Sequence, residues 1–196
     1  ENDGAANPSW AAADIATNAT GAASVFAADM DGDGDMDIVS ASENDDTIAW
    51  YENDGAENPT FTAADIATSA DGAASVYVAD LDNDGDMDIV SASMDDNTIA
   101  EYKNNLAALD ARSFTAADIA TSADGATSVY VADMDNDGDM DIVSASYADD
   151  TIAWYENDGA ENPTFTAADI ATSAEGASSV FAADMDNDGD MDIVSA

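Results

Sequence analysis

The sequence predicts an all-β protein, a β-propeller assembled from four-stranded blades of about 51 residues, with three complete blades and a fourth split between the termini. Three observations predict it. Acidic nonapeptides begin at Asp29, Asp80, Asp133 and Asp184, spaced 51, 53 and 51 residues apart. A period near 50 with many short segments belongs to propeller blades and not to helical solenoids. The text between them also repeats: Ala64-Asp65-Ile66-Ala67-Thr68 returns at 117–121 and 168–172, with an earlier copy at 13–17. Finally, acidic loops, glycine turns and β-branched clusters interrupt the chain too often for a helix of roughly 12 residues, despite the abundant alanine.

Each period divides into four strands. Ser75-Val76-Tyr77-Val78-Ala79 is apolar on both faces, as expected of a strand held between neighbouring sheets. The nonapeptide follows as a hairpin connection, and Ile89-Val90-Ser91-Ala92-Ser93 is the second strand. Thr98-Ile99-Ala100-Glu101-Tyr102 is the third, rich in β-branched and aromatic residues. A turn centred on Asp54-Gly55 or Asp158-Gly159 leads to the fourth, Thr60–Ile66 or its equivalent, which is the most polar and so the outermost. Asp71-Gly72, Asp124-Gly125 and Glu175-Gly176 turn the chain into the next blade.

At the ends, residues 1–17 read as the end of a third strand plus a fourth, and the chain stops after a second strand, giving fifteen strands where four closed blades need sixteen. The whole of 1–196 is expected to be a single propeller domain or a segment of a larger propeller. Its open blade offers an edge for self-association. The second period is the divergent one: Trp50-Tyr51-Glu52-Asn53 and Trp154-Tyr155-Glu156-Asn157 become Glu101-Tyr102-Lys103-Asn104, and this period holds the only cations, Lys103 and Arg112. Drift in an exposed hairpin explains that, and so does a contact specific to this blade.

The nonapeptides carry the chemistry. Asp80-Leu81-Asp82-Asn83-Asp84-Gly85-Asp86-Met87-Asp88 places a carboxylate at every odd position. Adjacent unit charges about 4 Å apart repel by roughly 1 kcal/mol in water, and by more where water is partly excluded. A bound cation removes that penalty. Calcium takes six to eight oxygens, and the side chains of Asp80, Asp82, Asp84 and Asp88 with the carbonyl of Asp86 supply such a set. Gly85 stands at the sixth position, where a loop of this kind turns sharply through positive φ. A helix–loop–helix calcium site is disfavoured, because its twelfth position is a bidentate Glu and here it is Ser40, Ser91, Ser144 or Ser195. The bland alternative is a set of solvated acidic turns.

Composition narrows the function further. Against 44 acids there are 2 cationic residues, a net charge of −42, which excludes a nucleic-acid backbone or an anionic membrane surface as partner. Twenty acids lie in the four nonapeptides, so four divalent ions would bring the charge only to −34, and the remaining acids form a solvated shell suited to a saline setting. Cysteine and histidine are absent, which removes disulfides, thiolate metal sites and the commonest general base. No apolar run is long enough for a membrane span, so membrane insertion is not expected.

The pattern Val-Ala-Asp-hydrophobic-Asp-x-Asp-Gly-Asp-Met-Asp-Ile-Val, as in Val131–Val143, resembles the FG-GAP and VCBS-type repeats that build integrin-α-like propellers. The resemblance covers essentially the whole chain, although recognisable Phe-Gly and Gly-Ala-Pro elements are lacking. It implies calcium in the hairpin between strands one and two, four ions in all, and an extracellular or cell-surface setting in adhesion or recognition. By this resemblance Asp29, Asp31, Asp33, Asp37 and the carbonyl of Asp35 are ligands. So are Asp133, Asp135, Asp137, Asp141 and the carbonyl of Asp139, and Asp184, Asp186, Asp188, Asp192 and the carbonyl of Asp190.

Other features have two readings each. The Trp50-Tyr51 and Trp154-Tyr155 pairs are either sugar-stacking platforms or packing between blades. The methionines that follow the loop period, Met30, Met36, Met87, Met134, Met140, Met185 and Met191, read as core plugs beside the metal. The expected function is a non-enzymatic, calcium-stabilised module binding a glycan or a protein. A passive or self-assembling scaffold is the alternative, and a propeller-based polysaccharide lyase or hydrolase ranks third for want of histidine.

Overall fold

A computed structural model describes residues 12–105 and 113–196, and it contains strands and no helix among them. The first sheet is β1 (Ala22–Ala28), β2 (Asp37–Ser42), β3 (Thr47–Asn53) and β4 (Phe61–Ala67). The second is β5 (Ala73–Ala79), β6 (Asp88–Ser93), β7 (Thr98–Asn104) and β8 (Phe114–Ala120), and the third is β9 (Ala126–Ala132), β10 (Asp141–Ser146), β11 (Thr151–Asn157) and β12 (Phe165–Ala171). β13 (Val180–Ala183) and β14 (Asp192–Ser195) form a two-stranded fourth sheet. Within each sheet, neighbours in sequence are neighbours in space and run antiparallel.

Burial follows from position. β6 and β10 are buried along their whole length because neighbouring sheets cover both faces, whereas β4, β8 and β12 form the outer edge and are mostly exposed. There is no single central core. Three apolar layers fill the spaces between consecutive blades, the first joining Val39 and Ile48 to Val76 and Tyr102. The second joins Leu81 and Val90 to Val129 and Tyr155, and the third joins Val143 and Ile152 to Val180.

Polar ties accompany each layer. The Ser24, Ser75 and Ser128 hydroxyls accept the backbone N–H of Val76, Val129 and Val180 in the following blade at 3.3–3.4 Å. In the β2–β3, β6–β7 and β10–β11 turns Asp46, Asn97 and Asp150 adopt positive φ, and their side-chain oxygens accept the N–H of Gly72, Gly125 and Gly176 one blade on. Along the innermost strands Phe26, Tyr77, Tyr130 and Phe181 form an aromatic ladder with centroids 4.7, 5.0 and 4.7 Å apart. Burial there, reinforced by Tyr130, pushes the Tyr77 phenol up to about 12.

The ends of the series lack a neighbour. Val25 is 68% exposed where its counterpart Val76 is 4%, and Val194 is 44% exposed where Val143 is fully buried. The expected strand within residues 1–17 is corrected in part: residues 12–17 form no strand, and residues 1–11 lie outside the described set. Arg112 lies outside it too. The methionine reading holds in full for Met30 and in part for the half-buried Met134, and fails for Met185, which is 53% exposed. Met30 and the equivalent Leu81 are buried under the following blade, whereas Met36, Met87 and Met140 at the eighth position are exposed at the loop mouth. The stacking reading of the aromatic pairs fails for Trp50, Tyr51 and Tyr155, which are buried. Trp50 meets Phe114 edge-on at 6.2 Å.

Candidate metal centre

Each acidic loop joins the first and second strands of a blade, so the strand pair fixes where its carboxylates converge. The sixth position is glycine with φ between +95° and +101°, a region that excludes most side chains. The fourth position also turns left-handed, through Asn83, Asn136 and Asn187 at φ near 60° and through Gly32 in the first loop. These two reversals curl the chain so that the odd-numbered side chains point inward. The backbone then holds them: Asp80 accepts the N–H of Asp84 and Gly85, Asp82 accepts that of Asp84, and Asp84 accepts that of Asp86. The same pattern holds Asp133, Asp135 and Asp137, and again Asp184, Asp186 and Asp188. In the first loop Asp29 accepts from Gly32 and Gly34, Asp31 from Asp33, and Asp33 from Asp35.

The result is one carboxylate trio per loop with ligand atoms within 4.8 Å of one another: Asp29, Asp31 and Asp33; Asp80, Asp82 and Asp88; Asp133, Asp135 and Asp137; Asp184, Asp186 and Asp192. The donors are all oxygen, with neither nitrogen nor sulfur, which suits a hard divalent cation. A carboxylate has about four lone-pair sites, so the two N–H bonds at the first position and the one each at the third and fifth leave capacity for an ion.

The ninth position does something the sequence did not disclose. Asp37, Asp88 and Asp141 are buried, and each uses both oxygens on backbone N–H groups, one in its own loop and one at the end of the third strand. Burial pushes the Asp88 carboxyl up to about 7 against the pull of these bonds, and moves Asp141 in the same direction. These aspartates are latches of the hairpin as much as candidate ligands.

The seventh-position side chains, whose carbonyls are the expected ligands, are half-buried in the first three loops, and Asp190 in the fourth is exposed. Asp139 accepts a hydrogen bond from the Asn83 amide of the preceding loop at 2.8 Å, and Asp190 accepts one from Asn136 at 3.4 Å. A β-carbon at Gly55 or Gly159 would collide with the carboxylate of Asp35 or Asp139, so those turns require glycine.

Sequence reasoning also missed a set of asparagines. Asn104 and Asn157 are buried at the ends of β7 and β11. The Asn104 amide donates to the carbonyls of Met30 and Met87, and that of Asn157 to Leu81 and Met140, so each bridges its own acidic loop to the preceding one. Asn53, with no preceding loop beside it among the described residues, donates to the carbonyl of Met36 alone and accepts the N–H of Gly55. The signal was there: Asn53, Asn104 and Asn157 persist while Trp-Tyr-Glu drifts to Glu-Tyr-Lys around them.

The FG-GAP-like repeat family matches the chain three times, over residues 29–91, 80–144 and 135–195. No curated protein matches the sequence. Among solved structures, a lectin of Agrocybe aegerita described as recognising non-reducing terminal N-acetylglucosamine is similar at a TM-score of 0.52 and 19% identity. The alignment takes in 77% of this chain and 38% of that one, a likeness of fold alone. With the family's repeats spanning residues 29–195 and the blades of the structure in the same phase, the chain belongs to the FG-GAP-like repeat family.

Proposed function

We propose that the chain is a calcium-stabilised, non-enzymatic β-propeller module of an extracellular or cell-surface protein, and that it recognises a glycan. One observation carries the calcium part: an all-oxygen carboxylate trio recurs at the same phase in every loop between first and second strands. Calcium bound there would neutralise the clustered charge and cross-link the loop. The first- and third-position aspartates would hold it in every loop, joined by the fifth in the first and third loops, Asp33 and Asp137, and by the ninth in the second and fourth, Asp88 and Asp192.

The glycan part is supported by the fold shared with a lectin and by a net charge that disfavours anionic partners. The non-enzymatic part is supported by the missing histidine, the commonest general base. A glycan array tests this reading. Calcium-dependent binding to a defined class of glycan, abolished by chelator, is the expected result, and an array without signal in calcium would contradict it. A second reading, a self-assembling scaffold, is favoured by the uncovered blade faces at Val25 and Val194. Concentration-dependent oligomers in light scattering together with a silent array would select it.

A further inference from the structure

The two outermost blade faces carry the two halves of the layer that joins each consecutive pair of blades. In the first layer Met30 and Val39 of one blade meet Val76 and Tyr102 of the next. The fourth sheet repeats the first half of that set, since Met185 and Val194 stand where Met30 and Val39 stand, exposed where those two are buried. The first blade repeats the second half. Val25 stands where Val76 stands, and beside it a cleft of about 330 Å³ is lined by Ile15, Ala19, Val25, Ile38, Ser40 and Tyr51. Ser40 is 3% exposed and its hydroxyl lacks a hydrogen-bond partner, whereas Ser91 and Ser144 in the covered blades bond the hydroxyls of Tyr102 and Tyr155.

We infer that a second copy of this chain completes the layer, its first-blade face seated on the β13–β14 face as one blade sits on the one before it. Every class of contact in the inner layers has its pair ready for that joint. Ser179 would accept the N–H of Val25 of the second copy, as Ser24, Ser75 and Ser128 accept those of Val76, Val129 and Val180. The Asn53 amide of the second copy would gain the Met185 carbonyl, as the Asn104 and Asn157 amides hold those of Met30 and Leu81. Phe181 and Phe26 would carry the aromatic ladder across. These contacts share one displacement, that of a following blade, so the occupant they fit is another blade of this sequence. The joint sets one face against a different one, so each added copy leaves one face of each kind free. A net charge of −42 on each copy opposes the approach, so association strengthens as salt screens it. The inference rests on the self-assembly reading above, supplies its partner and joint, and is indifferent to whether the blades also bind a glycan.

Sedimentation velocity of the chain in about 1 M sodium chloride, where screening acts within ~3 Å, tests it. The expected result is a population of oligomers that rises with protein concentration. Val25→Asp and Val194→Asp each bury a carboxylate in the joint at a position that the single chain exposes, so the fold is kept and each variant should sediment as a monomer. Mixed in equal amounts, the two should form a dimer and nothing larger, because Val25→Asp keeps the β13–β14 face and Val194→Asp keeps the first-blade face. Monomers or larger species in that mixture, or oligomers unmoved in both variants, would overturn the joint while leaving self-assembly through another surface. A natural chain that stays monomeric at every concentration would overturn the joint and the self-assembly reading together.

Discussion

Chelating calcium from the folded protein is expected to lower its melting temperature by roughly 15–30 °C. Free calcium ~100-fold above the dissociation constant adds about 2.7 kcal/mol per site to the folded state, so three occupied sites would contribute about 8 kcal/mol. For a chain of this size each kcal/mol moves the midpoint by roughly 2–4 °C. The direction follows from the charge in the loops. Without a cation, the carboxylates of Asp133, Asp135 and Asp137 crowd within 4.8 Å of one another, and unfolding relieves that repulsion. Excess salt should rescue part of the loss by screening, though less at the partly buried loops than on the acidic surface. A thermal melt followed by circular dichroism, with and without chelator, reads the effect, and a melt indifferent to chelator would count against the account.

Asn157→Ala is expected to destabilise by about 3 kcal/mol, because it strips the hydrogen-bond donor from two carbonyls, Leu81 and Met140, at a buried junction of two blades. Asn53→Ala should cost less, about 1 kcal/mol, since Asn53 is half-buried and donates to one carbonyl, that of Met36 in its own loop; the N–H that each side chain accepts, from Gly55 or Gly159, is lost equally in both variants. Chemical denaturation of the two variants measures this contrast. Equal losses would mean that the asparagine acts as a local turn residue and not as a bridge between blades.

The blades were legible in the sequence because strand physics is local. Alternation of β-branched and aromatic residues in Thr98–Tyr102, glycine turns and a fixed loop phase identify each strand from its own neighbourhood. The acidic trios were legible for the same reason, since nine consecutive residues contain almost the whole candidate site. What escaped depends on the neighbouring blade. Asn157 reads as an ordinary turn residue until Leu81 of the preceding loop is brought beside it. Lys103 reads as drift until its ammonium is found on Asp82 with Glu161 of the next blade closing over it. Burial decides what the sequence left open: the Trp50-Tyr51 pair, either a sugar platform or packing between blades, is enclosed between sheets, whereas Met36 and Met87 looked like core and face solvent.

The most direct test of the central claim is the calcium content of the natural chain after equilibrium dialysis in millimolar calcium, counted by elemental mass spectrometry. Three or more ions per folded chain, depleted in step with Asp137→Ala, is the predicted result. A folded chain that carries no calcium above the buffer level would contradict it.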